Sequence, residues 1–204
     1  MTLSTKDAAR ITLAAAALVE GAAALKRHHE RASAFEAAVE RATALSRRLV
    51  VIGDPDAGMH TRIVRAYGCG DVCLDKNGCP ACPVTITADL TKGPIEGIAD
   101  DTAVIFVSCV LEYVEDLDAA LREIARMAGS GENVFIVGVQ PWTLTSRLYP
   151  GARWRGTVVA HGDEHAVDMK PVRSGEKLAF AAALGLTLAS AFWPDKPNKG
   201  TNKP

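Results

Sequence analysis

Short apolar runs recur along the middle of the chain, and turn residues bound each of them. Such runs indicate strands that are buried on both faces of a sheet, whereas alternating β-branched residues indicate half-buried strands. We predict strands at 49–52, 71–75, 84–89, 103–108, 133–139 and 186–193. The segments 157–160 and 166–169 flank a polar turn and are predicted to pair as a hairpin.

Helical periodicity separates several of these strands. It covers 60–66, 116–127 and 174–184, with Asp116 and Ser174 as N-caps and Gly185 as the end of the last helix. Strands that alternate with helices form a parallel sheet with helices on its faces. We therefore predict an α/β protein, a three-layer sandwich around a mostly parallel central sheet of six to seven strands. The strands that begin at Leu49 and Ala103 should be neighbours.

The first 48 residues are predicted to form an N-terminal helical segment. Apolar residues recur at three- and four-residue spacing over 6–29 and again over 30–48, which predicts two helices. They could form a hairpin or pack across the edge of the sheet. One core domain would then follow over 49–193, and the polar, proline-rich stretch 194–204 is predicted to be a disordered tail.

The stretch between Arg10 and Lys26 raises the question of a membrane, because it is nearly all Ala, Leu, Ile and Val. It is shorter than the roughly 20 residues that a spanning helix needs. Glu20 lies within it, and a carboxylate there costs on the order of 2.5–3.5 kcal/mol on insertion scales. A soluble, alanine-rich helix is therefore favoured, with a weak N-terminal membrane anchor as the alternative.

Composition narrows the class of protein. The chain has 204 residues and a net charge of -1, so it is large enough for one substantial core and has no basic excess for a nucleic acid. No signal peptide is visible, and the five cysteines are an odd number. We therefore expect a reducing, cytoplasmic location, with membrane association through the N-terminal segment as the alternative.

The turn after the first strand is the best candidate for a ligand site. A buried strand, a glycine-bearing turn and a helix start present backbone N–H groups to a ligand in α/β folds. Gly53, Asp54, Asp56 and Gly58 belong to this turn, and Asp75 ends the next strand. A carboxylate at that offset can accept two hydrogen bonds from a ribose diol. The alternative is that Asp54 and Asp56 satisfy only local N–H groups.

Three features together resemble the class I S-adenosylmethionine-dependent methyltransferases. The strand and turn 50–58 resembles the first motif of that family, and Asp75 stands where the family often has an acid on the ribose hydroxyls. The segment 103–127 contains Leu-Glu-Tyr-Val-Glu-Asp and Leu-Arg-Glu-Ile-Ala-Arg, and it resembles the fourth strand and its helix. Asp89-Leu90 resembles the acid and loop near the adenine. The likeness extends over 49–192, which makes the core domain methyltransferase-like.

The resemblance implies a Rossmann-like methyltransferase fold that binds S-adenosylmethionine and transfers a methyl group to a small molecule. It implies cofactor contacts from Gly53, Asp54, Asp56, Gly58, Asp75, Asp89, Leu90 and Ser108. The turn departs from the family, because Pro55 lacks an N–H and the two acids beside it would repel the cofactor carboxylate. The alternative is a catalytically inactive methyltransferase-like scaffold with a binding, structural or membrane-associated role.

Two further clusters contain residue types that can bind metals or act in catalysis. Cys69, Cys73, Cys79 and Cys82 could bind structural zinc or form a redox pair, but their spacing favours ordinary reduced thiols and no metal. The segment 161–165 is typical of a solvated hairpin turn, and His165 is a weak candidate for a general base. Aromatic residues at 142, 149 and 154 could line a substrate pocket or cap the core.

Overall fold

The described residues form a seven-stranded mixed sheet and four α-helices. A computed structural model describes residues 4–57, 65–149, 151–161 and 164–192. The helices are α1 (Thr5–Leu45), α2 (Leu117–Ala128), α3 (Leu144–Leu148) and α4 (Ser174–Phe192). The strands are β1 (Arg48–Ile52), β2 (Val72–Asp75), β3 (Thr85–Thr87), β4 (Ala103–Ser108), β5 (Val134–Val137), β6 (Trp154–His161) and β7 (Glu164–Pro171).

The order of strands across the sheet is β3-β2-β1-β4-β5-β6-β7. The first five in this order are mutually parallel, and β6 and β7 form an antiparallel hairpin beside β5. The predicted α/β class and mostly parallel sheet are confirmed, as is the hairpin. The predicted contact between the strands at Leu49 and Ala103 is also confirmed, because Leu49 pairs with Val104 in the parallel β1–β4 ladder.

Helices cover the two faces of this sheet with different side chains. The face that carries Val50 and Ile105 packs against the buried side of α2, where Ile124 and Met127 lie. Asp116 caps α2 as predicted, since its carboxylate accepts a hydrogen bond from the backbone N–H of Ala119 at 2.9 Å. This arrangement is consistent with a Rossmann-like fold.

The opposite face of the sheet packs against the C-terminal half of α1. Ala34, Ala38 and Ala42 are buried there and contact the cluster that includes Val51 and Phe106. Alanine lets the helix backbone approach the sheet closely, so the large aromatic ring of Phe106 fills the space between them. The alanine spacing of three to four residues therefore has a packing role along this half of α1.

The prediction of two N-terminal helices is wrong, because α1 is one continuous helix of 41 residues. The junction expected near Glu30 contains neither glycine nor proline, and nothing there supplies a helix stop. Arg27 is buried on the same side as Ala34, so the face that contacts the domain continues through the junction. Contact with the sheet domain therefore lets the helix continue past the basic residues at 26–29.

The prediction that Gly185 ends the last helix is also wrong. The helix α4 continues to Phe192, and the strand predicted at 186–193 is a helix over its described residues. Residues 184, 187 and 191 are the least exposed of this part of α4, which is helical spacing, and α4 packs against α1. Contact with α1 therefore outweighs the roughly 1 kcal/mol that a glycine costs inside a helix. The predicted helix 60–66 and tail 194–204 lie largely or wholly outside the described residues.

Two disulfides replace the expected free thiols in the cysteine cluster. Cys69 bonds to Cys82 and Cys73 to Cys79, with Cα–Cα distances of 5.6 and 6.2 Å. Cys109 is the free cysteine among the described residues. Cys73 lies on β2, so the second disulfide ties the loop before β3 to the sheet. The expectation of ordinary reduced thiols is therefore wrong.

We predict that removing the Cys69–Cys82 bond, in the double variant Cys69→Ser/Cys82→Ser, lowers the unfolding free energy by about 3 kcal/mol. The bond closes a loop across a sequence separation of 13, and opening it gives the unfolded chain more conformational freedom. Urea unfolding of both proteins without reductant measures the difference.

Alkylation of the denatured, non-reduced chain is the control for this experiment. It should label Cys109 and leave the other four cysteines unmodified. Labelling of all five cysteines, or one tightly held zinc per chain by elemental analysis, would contradict the assignment of the bonds.

Candidate functional site

The carboxyl ends of β1, β2 and β4 meet at one edge of the sheet. The strand β1 lies between β2 and β4, and the chain order reverses on either side of it. In open parallel sheets, ligands bind outside the carboxyl ends of the strands at such a switch point. The turn after β1 is therefore the candidate site that the topology selects, and it contains most of the predicted residues.

Gly53 ends β1 where two strands approach closely. Its N–H donates to the Leu74 carbonyl at 2.9 Å, and its φ of 104° lies in the region that favours glycine. A Cβ at this position would lie 2.8 Å from Val110 Cγ2 and 3.0 Å from the carbonyl oxygen of Ser108. A glycine is therefore required here, and the chain after β4 already packs against it.

Asp54 and Asp56 are engaged within their own turn. The Asp54 carboxylate accepts a hydrogen bond from the Asp56 N–H at 3.0 Å, which is an Asx turn. The Asp56 carboxylate forms an ion pair with Arg65 at 3.2 Å. These contacts favour the local-turn alternative for both acids. Gly58 lies outside the described residues.

Asp75 lies against the turn after β1, where the sequence pattern predicted it. One carboxylate oxygen accepts the Asp54 N–H at 3.3 Å, and the other accepts the Asn77 N–H at 2.8 Å. An ionised carboxylate has about four lone-pair positions, so two remain beyond these bonds. The half-buried Asp75 therefore supports the turn and keeps acceptor capacity for hydroxyl groups.

Asp89 and Leu90 follow β3 and have different surroundings. Asp89 accepts hydrogen bonds from the N–H and hydroxyl of Thr91, and it forms an ion pair with Lys76 at 3.1 Å. Burial alone would raise the pKa of Asp89, but these contacts outweigh it and lower the pKa to about 2. Leu90 is buried in the core. Asp89 thus joins the loops after β2 and β3.

A buried polar cluster adjoins the turn, and Ser108 is the only member of it that the sequence predicted as a site residue. Its members come from α1, the segment before β2 and the end of β4: Arg27, Arg31, Tyr67, Ser108, Cys109 and Glu112. Arg31 donates to the Cys109 sulfur at 2.8 Å. The Tyr67 hydroxyl donates to the backbone carbonyl of Asp54 at 3.4 Å. The buried polar cluster therefore reaches the candidate site.

Several atoms of the buried polar cluster lack hydrogen-bond partners in the described part of the chain. They are Arg27 Nη1, Arg31 Nε, Ser108 Oγ and Glu112 Oε2. Buried polar atoms usually have a partner, and exceptions point to strain, catalysis or an absent group. Cys109 has a φ of 53°, an unusual value for a residue with a side chain. Strain and unsatisfied donors therefore coincide at the end of β4.

The ionisable groups of the buried polar cluster are perturbed chiefly by burial. Burial raises the pKa of Glu112, although its carboxylate accepts the Val139 N–H and faces Arg31 and Arg27. Burial also raises the pKa of the Cys109 thiol, and the nearby Arg31 guanidinium opposes that shift. Two guanidinium groups thus face one carboxylate, which leaves positive charge and free N–H donors for an anionic group.

One sequence signal could have indicated the two arginines. Positions 23, 27, 34, 38 and 42 form the buried side of α1, so Arg27 belongs to the alanine stripe. Arg31 lies one turn further along and is half-buried. The prediction of two separate helices divided this side of α1 near Glu30, so the relation between Arg27 and Arg31 was missed.

His165 is not near the candidate site. It is exposed on β7, four strands away from β1, which corresponds to about 19 Å at the usual strand spacing. His161 lies near α1, with its Nε2 3.3 Å from Ser33 Oγ. Trp154 donates to the Val114 carbonyl, and Trp142 is exposed. The described residues contain no group of three or more metal-ligand side chains that could hold an ion.

An open cleft of about 340 Å³ lies beside α2. The loop after β3 and the outer side of α2 line it, including Leu90, Thr91, Arg122 and Arg126. Arg126 is already paired with Glu123 and Asp100. The cleft shares only Leu90 with the predicted site, and it lies away from the ends of β1 and β4.

Comparisons with known proteins give no relative for this chain. No family model, no curated protein and no solved structure matches it. The resemblance to methyltransferases therefore depends on the motifs alone.

We predict that Asp89→Asn lowers the unfolding free energy at pH 7 by about 1–2 kcal/mol. The folded pKa of about 2 is below the unfolded value, so the ionised carboxylate stabilises the fold above about pH 4. That stabilisation is lost as the pH falls through about 2. Urea unfolding at several pH values should show the difference between variant and wild type shrinking towards pH 2.

The matched control is Glu96→Gln, a substitution of an exposed carboxylate in the loop before β4. It should change the unfolding free energy little at any pH. An Asp89→Asn effect of equal size at pH 7 and pH 2.5 would contradict the link to ionisation.

Proposed function

We propose that this protein binds S-adenosylmethionine through the turn after β1 and transfers its methyl group to a small molecule. The observation that supports the proposal most directly is the position of Asp75. Its carboxylate accepts the Asp54 N–H beside the switch point between β1 and β4. An acid that supports this turn and retains free lone pairs is suited to a ribose diol.

The residues present fit the nucleoside half of such a cofactor. Asp75 would hold the ribose hydroxyls, and the loop that begins at Asp89 and Leu90 would flank the adenine. Gly53 leaves the backbone open at the point where any side chain would clash with Ser108 and Val110. The full three-layer methyltransferase arrangement belongs to this same proposal.

The carboxylate of the amino-acid half of the cofactor would be stabilised by a cation, and the buried polar cluster contains two, Arg27 and Arg31. Asp54 and Asp56 oppose a carboxylate, but Arg65 already offsets the charge of Asp56. Arg31 Nε has no partner among the described residues, and the cluster reaches Asp54 through Tyr67. We assign Arg31 the binding of the cofactor carboxylate, with a charge-assisted hydrogen bond as its basis.

Methyl transfer requires little acid–base chemistry from the protein. When bound, S-adenosylmethionine supplies a sulfonium methyl group, which is already a strong donor. The protein's part is to align acceptor and methyl group and to keep them together. His165 is remote from the turn, so it has no evident part in that alignment.

A second candidate is the inactive scaffold, and specific contacts favour it. Val110 packs against Gly53, and the Asp54 and Asp75 carboxylates already accept backbone hydrogen bonds. A domain that keeps the fold after losing its ligand would have its turn satisfied in this way. The open cleft beside α2 also lies away from this turn.

The methyltransferase proposal includes a cytoplasmic location. The disulfide-bonded cysteines are evidence against that location. Disulfides are rare in cytosolic proteins and persist in oxidising compartments. The two disulfides near β2 therefore favour an oxidising surrounding for the domain. Thiol labelling of the protein inside intact cells distinguishes the two locations.

We predict that Asp75→Ala weakens S-adenosylmethionine binding by roughly 10- to 150-fold, the loss of about 1.5–3 kcal/mol for a charge-assisted hydrogen bond. Isothermal titration of the full chain measures the affinity. The matched control is Asp71→Ala. Asp71 lies just before β2 and accepts the Leu49 N–H at 2.8 Å, away from the site.

The variant Arg31→Met distinguishes binding of the amino-acid half of the cofactor from binding of its nucleoside half. The substitution should lower the affinity for S-adenosylmethionine and leave the affinity for adenosine unchanged, because adenosine has no carboxylate. Binding that survives Asp75→Ala unchanged would show that the site lies elsewhere. No binding of either ligand to a folded wild type would favour the scaffold.

A further inference from the structure

The first part of α1 and the whole of α4 form a helix pair, defined here as residues 5–25 and 174–192. The two helices contact each other. The less exposed positions include 6, 9, 13, 16, 20 and 23 on α1 and 177, 180, 184, 187 and 191 on α4. This spacing of three and four residues is that of two helices packed along their length. Three of these six positions on α1 are alanine, which allows close approach there.

The outward faces of the helix pair are apolar. Of the fourteen exposed large apolar side chains in the described residues, eight belong to the pair. They are Ile11, Leu18, Val19, Leu25, Leu178, Leu186, Leu188 and Phe192. Two helices packed in water would place polar side chains on these faces, since only their mutual contact would be buried. The helix pair therefore lacks the polar surface of a soluble helical hairpin.

Several polar side chains inside the apolar stretches have hydrogen-bond partners within the protein itself. The Glu20 carboxylate accepts a hydrogen bond from the backbone N–H of Leu144 in α3. This carboxylate was the reason that the sequence favoured a soluble helix over a membrane-spanning one. Thr187 and Ser190 donate to the carbonyl oxygens four residues earlier in their own helix. Thr12 does the same on α1. These groups therefore need no water, which is the condition for placing them in lipid.

The dimensions and flanking charges of the helix pair match a bilayer. Each helix has an 18-residue window of mean hydropathy 1.5 or 1.2, and only 6% of each window is buried. The 19 residues of α4 extend about 28 Å, close to the roughly 30 Å of a hydrocarbon core. Exposed Lys26, Lys170 and Arg173 lie at the domain end of the pair, where they complement anionic headgroups.

The helix pair is neither a buried core element nor a removable leader. A core helix would be mostly buried, whereas only 6% of each window is buried here. A leader would end before the domain, whereas α1 continues to Leu45 and packs its alanine stripe on the sheet. The N-terminal stretch is thus a structural part of the domain.

We propose that the helix pair inserts into a lipid bilayer as a helical hairpin, with the sheet domain held at one membrane surface. The chain directions allow it, because α1 runs towards the domain and α4 runs away from it. The proposal is independent of S-adenosylmethionine binding. A second copy of the chain covering the same faces is the competing occupant.

Vesicle flotation of the full chain tests the proposal. Protein purified in mild detergent is reconstituted into vesicles of phosphatidylcholine with one quarter phosphatidylglycerol, and then washed with 1 M salt and with alkaline carbonate. We expect the protein to float with the vesicles after both washes, because insertion depends on apolar area. Release by salt would indicate adsorption to the surface and would overturn insertion.

The variant Leu18→Glu/Leu186→Glu tests the faces themselves. Both side chains are at least 70% exposed, so the fold should survive, and thermal unfolding checks this. We expect the floating fraction to fall at least tenfold. The matched control Val167→Glu/Val84→Glu adds the same charge at half-exposed apolar positions of the sheet domain, and it should float like the wild type.

Light scattering in detergent-free buffer tests the alternative that a second copy of the chain covers the apolar faces. A soluble wild-type dimer that the Leu18→Glu/Leu186→Glu variant converts to monomer would assign the faces to a second copy and overturn the proposal. A soluble monomer that does not float with the vesicles would overturn the proposal as well. Aggregation without detergent, relieved by the same variant, would support it.

Discussion

The parallel pairing of β1 between β2 and β4 is the constraint on which the rest of the structure depends. It brings the ends of three strands together, so that Asp75 reaches the Asp54 N–H and Gly53 packs against Ser108. Both faces of these strands are buried, and each therefore needs its own helix cover. The candidate site, the α2 contact and the α1 contact all follow from this central ladder.

The long helix α1 connects the two unusual regions of the molecule. Its C-terminal half covers the sheet through alanines and brings Arg27 and Arg31 to the end of β4. Its N-terminal half continues beyond the sheet and packs with α4. A single rigid helix therefore joins the candidate site to an apolar surface. A ligand carboxylate at Arg31 would lie about 20 Å along the helix from Leu18 at 1.5 Å per residue.

The sequence predicted the central architecture well, because that architecture depends on local patterns. The bounds of β4 and the cap of α2 at Asp116 agree with the predicted ones, and the hairpin of β6 and β7 was expected. Asp75 was also predicted correctly to end the second strand. Apart from Ser108, the buried polar cluster was missed because Arg31 and Cys109 are 78 residues apart, and no local pattern relates them.

The sequence by itself determined the elements whose stability is local: apolar strands, the Asp116 cap and the glycine turn at the end of β1. Tertiary structure alone decided where helices continue and which side chains are paired. Gly185 is a weak stop signal that packing against α1 overrides, and contact with the sheet domain carries α1 through the region near Glu30. The cysteines formed disulfides because folding brought their Cα atoms within about 6 Å. Distances of this kind are properties of the folded chain, and composition does not encode them.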